Sequence, residues 1–152
     1  MAMTIERPPS ALADIELAPS PDTEVAASLW ERCGGRTSPG TAAPEMQIVA
    51  LERLTGRVVG AAEFVRTFPP EDALASLCVD PAFRRMGIGR MLLEALMTSA
   101  ARQGRRNLCA FVPETNLAAW KLLEASGAPA HAYQSDGGYY VELETTSRRE
   151  LP

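Results

Sequence analysis

The sequence is poor in the residues that build metal and thiol chemistry. Of its 152 residues only one is histidine, His131, and only three are cysteine, Cys33, Cys78 and Cys109, with no C-x-x-C pair among them. That excludes a zinc site built on the usual ligand spacing, and no metal is expected. Cys78 and Cys109 each sit inside an apolar run, where the expected role is that of a small buried hydrophobe. A surplus of basic residues is also missing. Fifteen Lys and Arg against nineteen Asp and Glu leave a formal net charge of −4, the opposite of a surface that displaces counterions from nucleic-acid phosphates. No apolar stretch approaches the length of a membrane span, and Met1 to Ser20 carries acidic and proline residues instead of a signal-like run. The expectation is a cytoplasmic protein with neither a nucleic-acid nor a membrane partner.

What is present fits one folded domain. With 46% hydrophobic and 22% charged residues, the composition is that of an ordinary globular chain. The length suits a single core over residues 1–152, with flexible tails at about 1–9 and 147–152.

Along the chain, Ala11 to Ala18 alternates loosely and ends in Pro19-Ser20-Pro21, which predicts a first strand. A helix should follow, capped by Asp22 or Thr23, with Val25, Leu29 and Trp30 at helical spacing until Gly34-Gly35. Arg36 to Pro44 reads as a loop. Gln47 to Leu54 and Arg57 to Thr67 form a hairpin around Thr55-Gly56, and Ala73 to Val79 adds a third strand of a meander. From Gly87 to Gln103, the positions Ile88, Leu92, Leu93, Leu96, Met97 and Ala100 make one apolar stripe of period 3.6, the clearest helix in the chain. Asn107 to Val112 is a strand, and Thr115 or Asn116 caps a helix that Gly127 ends. Ala130 to Thr146 closes with a hairpin through Asp136-Gly137-Gly138. This order predicts an α/β (α+β) domain, a mixed central sheet with helices on its faces and one ligand cleft.

The chemistry concentrates in Leu77-Cys78-Val79-Asp80-Pro81, followed by Ala82 to Met86 and the helix from Gly87, with Gly89 and Arg90 in its first turn. A strand, a proline turn and a basic glycine loop lead into a helix N-terminus, whose first amides have no intrahelical partner and sit at the positive end of the dipole. Such a place receives phosphate oxygens. Gly87 and Gly89 let backbone approach closely, and Arg84, Arg85 and Arg90 add charge. A Walker loop would need Gly-Lys-Ser or Gly-Lys-Thr, and a dinucleotide fingerprint would need a third glycine where Leu92 stands. Neither pattern is met.

Arg84-x-x-Gly87-x-Gly89, preceded by Leu77-x-Val79-x-Pro81 and followed by Leu92-Leu93, resembles the acetyl-CoA motif of the GCN5-related N-acetyltransferases, the GNAT superfamily. The resemblance implies that the amides of Arg84, Arg85, Met86, Gly87, Ile88, Gly89 and Arg90 hold the pyrophosphate of acetyl-CoA. It also implies that the backbone of Leu77, Cys78 and Val79 pairs with the pantetheine arm as an added strand would. A second segment, Val112 to Ala128, resembles the other cofactor motif of the family through Asn116, Ala119 and Gly127.

The departures concern catalysis. Many members carry a tyrosine seven residues after the asparagine as general acid, where this chain has Leu123, and a Phe after the glycine, where it has Ala128. A glutamate five residues before the asparagine, or about fourteen before the first motif glycine, serves as base in some members; here those positions are Phe111 and Ala73. No catalytic residue transfers. Glu63, Glu71 and Asp72 remain as carboxylates that could act, alongside Tyr133, Tyr139 and Tyr140 on the last hairpin. The resemblance thus implies transfer of an acetyl group from acetyl-CoA, as co-substrate, to a primary amine on a small molecule or peptide; a homodimer is compatible with the sequence. Two alternatives stay open: a CoA-binding sensor or interaction domain of the same fold without turnover, and an unrelated binder of ATP or a dinucleotide.

Overall fold

The computed structural model describes residues 12–20, 24–33 and 44–145. The expected tails lie outside those residues, as do the proposed caps Asp22 and Thr23, the Gly34-Gly35 stop and nearly all of the Arg36 to Pro44 loop. The elements are β1 (Ile15–Pro19), α1 (Ala27–Arg32), β2 (Met46–Glu52), β3 (Val58–Arg66), β4 (Asp72–Val79), α2 (Ile88–Arg102), β5 (Asn107–Pro113), α3 (Leu117–Ser126), β6 (Ala130–Ser135) and β7 (Gly138–Glu144). Seven strands make one sheet in the order β1-β2-β3-β4-β5-β7-β6. All neighbours are antiparallel except β4 and β5. This is the mixed sheet of a single domain that the sequence pattern predicts. Among the described residues no helix is long and apolar enough to cross a membrane.

The main core lies between the sheet and α2. The apolar stripe of α2, Ile88, Leu92, Leu93, Leu96 and Ala100, is buried there against Ile48 and Ala50 of β2, Ala62 and Phe64 of β3, Ala73 and Ala75 of β4, and Leu108 and Leu143 of β5 and β7. Each large aliphatic so buried contributes about 1.5–3 kcal/mol before entropy is subtracted. The close seat of α2 depends on Gly60 in β3. A Cβ there would stand 2.9 Å from Leu92 Cδ1 and 3.2 Å from Ile88 Cγ2. On the opposite face α1 packs Ala26, Leu29 and Trp30 against Val49, Ala61 and Cys78. β3 is therefore covered on both sides, which explains its nearly continuous burial.

Three expectations shift. Leu12–Asp14 forms a 3-10 turn, so the first strand starts at Ile15 rather than Ala11. The first helix begins at Ala27: Glu24 to Ala26 are a turn closed by the Ala27 N–H to Glu24 O bond of 3.1 Å, and Val25 is 43% exposed instead of lining the core. β2 stops at Glu52, because the Gly56 N–H donates to Glu52 O at 2.7 Å and Thr55 Oγ1 donates to Glu52 Oε1 at 2.8 Å, which together fold residues 53–57 into the turn.

One ion pair clamps the meander to the second half of the chain. Arg105, in the connection from α2 to β5, donates from Nε to Glu45 Oε1 at 2.9 Å and from Nη2 to Glu45 Oε2, and also donates to the Pro70 carbonyl. Arg66 Nε adds a bond of 3.2 Å to the same carboxylate. The Arg105 hydrogen bond, outweighing burial, holds the Glu45 carboxyl below its ordinary value, and Glu45 in turn holds the guanidinium above its own. A depressed carboxyl stabilises the fold fully above its unfolded value, about 4.3, and loses that contribution as pH falls through the lower folded value. Arg105→Met is therefore expected to lower stability by about 2 kcal/mol at neutral pH. In thermal melts the gap to the parent protein should shrink below about pH 4; a gap that stays constant down to pH 2 would contradict the clamp.

Candidate active site

The sheet opens at its middle. β4 and β5 run parallel and share a register of Asp72 with Asn107, Ala73 with Leu108 and Leu74 with Cys109, and the register ends there. Leu77 and Val79 of β4 and Phe111 and Pro113 of β5 lie beyond the last partnered position, so the carboxyl ends of the two strands diverge. Both strands then lead into helices, α2 and α3, and a crevice outside the carboxyl ends of parallel strands is where α/β sheets bind ligands. The start of α2 lies against the middle of α3 and the end of β4: a Cβ on Gly89 would lie 3.6 Å from Leu122 Cδ2 of α3 and 3.7 Å from Val79 Cγ2.

The loop between β4 and α2 is pinned by Asp80. Its Oδ1 accepts from the Ala82 N–H at 2.9 Å, capping the 3-10 turn Pro81–Phe83, while its Oδ2 accepts from Arg32 of α1 and from Arg57 before β3, each at 3.1 Å. The Asp80 N–H donates to Val59 O at 2.8 Å, and the Arg57 guanidinium lies 5.5 Å from the Phe83 ring centre. Burial pushes the Asp80 carboxyl upward, but the Ala82 N–H and the two guanidinium groups outweigh it, so the group sits below its ordinary value.

Beyond this knot the backbone turns left-handed twice, at Arg85 (φ 66°) and at Gly87 (φ 93°). Gly87 is the N-cap of α2. The first intrahelical bond runs from the Met91 N–H to Gly87 O at 3.1 Å, so the amides of Ile88, Gly89 and Arg90 precede it at the positive end of the dipole.

The residues named from the sequence fall into distinct roles. Arg84 is exposed and donates from Nε to Val79 O at 3.2 Å, fastening loop to strand. Arg85 is exposed, Met86 packs on the main core, and Arg90 is exposed with Nε 3.4 Å from Glu94 Oε2. Ile88 is 1% exposed and its side chain belongs to the core, so only its amide is available to a ligand. Leu77 and Val79 flank the cleft on the α2 face, whereas the Cys78 side chain lies under α1 on the other face. Asn116 caps α3 by accepting from the Ala119 N–H at 3.1 Å, and Gly127 ends that helix at φ 67°.

The alternative acids and bases are also sorted. Glu71 is exposed, while Glu63 is 2% exposed in β3, in register with Gln47 of β2 and Ser76 of β4, both buried as well. Of the three tyrosines, Tyr139 sets its ring edge-on against Trp120 at 5.4 Å, and Tyr133 on the edge strand β6 is 54% exposed, as His131 is exposed beside it. Tyr140 points to the fork of the strands, where its hydroxyl donates to the Cys109 thiol. Leu123 and Ala128 pack on the main core and Ala73 is buried in it.

Nothing in the spacing foretold what gathers at that fork. Asp72, Cys109 and Glu142 bring their ligand atoms within 4.8 Å of one another, and Asn107 Nδ2 donates to Asp72 Oδ1 at 2.8 Å. Burial first, then the two carboxylates, pushes the Cys109 thiol up to about 11 against the opposing Tyr140 hydrogen bond. A thiol that stays protonated at neutral pH is a poor metal ligand and a poor nucleophile. Burial and the Cys109 contact likewise raise the Tyr140 hydroxyl above its ordinary range.

A sequence profile of the Acetyltransferase (GNAT) family matches residues 10–128; the chain belongs to that family. No curated protein sequence matches it. Among solved structures, yncA from Salmonella typhimurium, determined with its cofactor acetyl-CoA, aligns with a TM-score of 0.68 at 19% identity over 89% of this chain and 96% of that one. A GCN5-related N-acetyltransferase from Kribbella flavida aligns at 0.64 and 21% identity over 86% and 96%. A cAMP-binding acyltransferase from Mycobacterium smegmatis aligns at 0.64 and 23% identity over 91% of this chain, which spans 46% of that protein. Likenesses at these identities establish the fold.

Because Asp80 ties α1, β3 and the glycine loop together, Asp80→Ala should lower stability by about 2 kcal/mol through the lost cap and hydrogen bonds. It should also make the amides from Ala82 to Gly87 exchange faster with solvent than those of α2's middle turns. Loss of stability with no change in loop exchange would mean that the knot does not position the loop.

Proposed function

We propose that this chain transfers an acetyl group from acetyl-CoA to a primary amine. The observation that carries the reading is the parting of β4 from β5 directly beneath the start of α2. The pyrophosphate would meet the amides of Gly87, Ile88 and Gly89, and the pantetheine arm would run back along Val79 and Leu77. Five residues of strand, about 16 Å, separate Val79 from Leu74, comparable to an extended pantetheine arm, so the thioester would be presented near the fork. There the amine nitrogen attacks the carbonyl carbon, the C–S bond breaks and CoA leaves as a thiolate. A thiol with a pKa near 8.5 needs little protonation on leaving, whereas an amine near 10.4 must first lose a proton. That asymmetry fits a site with Leu123 in place of an acid and two carboxylates, Asp72 and Glu142, at the fork.

The test has two readouts. Acetyl-CoA at roughly a hundred times its Kd should stabilise the fold by about 2.7 kcal/mol, with ATP and NAD giving no shift. Gly89→Val should abolish that stabilisation and leave the fold recognisable by circular dichroism; the added Cβ itself would meet Leu122 and Val79 at ordinary contact distances of 3.6 and 3.7 Å. Release of free CoA on adding amines then separates an enzyme from a CoA sensor of the same fold. Stabilisation by ATP or NAD instead, or an unaltered response in Gly89→Val, would overturn the assignment.

A further inference from the structure

One face of the half-sheet β5-β7-β6 carries a pattern that acetyl-CoA binding does not use. The strand registers place Phe111, Tyr140 and Tyr133 side by side across β5, β7 and β6 on the face away from α2. Phe111 and Tyr140 are half-buried and Tyr133 is 54% exposed. α1 packs only on β2, β3 and β4, so among the described residues no helix covers the row. The row is also continuous with the cleft: Tyr140 reaches from it to Cys109, the last β5 residue partnered with β4. Charge on this face has one sign. Glu142 sits between Cys109 and His131 in the same registers, Asp72 stands within 4.8 Å of both the thiol and Glu142, and no Lys or Arg occupies the paired positions of this face on β5, β7 or β6.

We propose that the acceptor is a small primary amine on an aromatic or flat apolar body, with its ammonium group between Glu142, Asp72 and Tyr140 and its body laid along Phe111, Tyr140 and Tyr133. This rests on the acyl-transfer reading above and names the substrate class for it. Aromatic faces attract both a flat apolar body and a cation beside it, and the two carboxylates supply the complementary charge at the end nearest the thioester. The ammonium proton passes to Glu142 and on to water. The nitrogen lone pair forms the C–N bond as the C–S bond breaks, the nitrogen then gives up its second proton to water, and the CoA thiolate takes one from solvent, so the products are the neutral amide and free CoA.

The experiment compares 2-phenylethylamine with hexylamine, spermidine, kanamycin and a peptide N-terminus in a CoA-release assay at saturating acetyl-CoA, in the parent chain and in Tyr133→Ala and Glu142→Gln. Phenylethylamine should exceed hexylamine in kcat/KM by about tenfold. Each substitution should raise its KM by about tenfold or more while leaving acetyl-CoA stabilisation unchanged. Tyr133 is exposed on an edge strand, so its variant folds. Turnover that favours spermidine, kanamycin or the peptide, or a phenylethylamine KM within about twofold in both variants, would overturn the proposal and leave acyl transfer standing. Absence of both acetyl-CoA stabilisation and CoA release would instead overturn acyl transfer, and this inference with it.

Discussion

The structure turns on a parallel strand pair that lasts for three residues. β4 and β5 share a register from Asp72 to Leu74 and then part, whereas every other neighbouring pair continues for five residues or more. Backbone groups rarely stay without partners in a folded interior. A sheet that opens at its centre therefore needs something to occupy the gap, and an extended amide-bearing arm can do so as an added strand. The same parting sends β4 into α2 and β5 into α3, so that the two strands bordering the gap each lead into a helix.

Holding the gap open is the work of the surrounding contacts. Asp80 joins α1, the entry to β3 and the turn after β4 through one buried carboxylate. Gly60 lets α2 settle directly on β3, and the Arg105–Glu45 pair closes the far end, where the two strands are still together. The loop is thus fixed at its base and at its exit. The two left-handed residues, Arg85 and Gly87, lie between these fixed points; a non-glycine residue in that region carries about 1–3 kcal/mol of strain, which the surrounding structure must hold.

Much of this was legible in local pattern. The stripe from Ile88 to Ala100, the cap at Asn116, the left-handed end at Gly127 and the hairpins follow from periodicity and turn chemistry, which act over a few residues. The glycine loop was legible because its letters match a known cofactor motif. The fork itself was not. Parallel pairing between β4 and β5 joins residues 35 apart in sequence, Asp72 and Asn107, and no run of residues shows where a partnership ends. The meeting of Asp72, Cys109, Glu142 and Tyr140 depends on that pairing and on the β7 register together, so Cys109 read correctly as a buried hydrophobe and its polar neighbours went unseen. Asp80 stands before proline in the turn that follows β4, and its bonds to Arg32 and Arg57 come from a helix and a turn distant in sequence. The motif position of Ile88 implies a role for its amide, and the burial of its side chain in the core leaves that amide at the start of α2.

The central claim is that the parted strands and the start of α2 form one cofactor site. Hydrogen–deuterium exchange with and without acetyl-CoA measures it most directly, because the method reads the backbone amides said to bind. Protection confined to peptides covering Leu77 to Val79 and Gly87 to Arg90, with the exterior strand β6 unchanged, is the result this account predicts. Protection elsewhere, or none at those amides despite saturating acetyl-CoA, would contradict it.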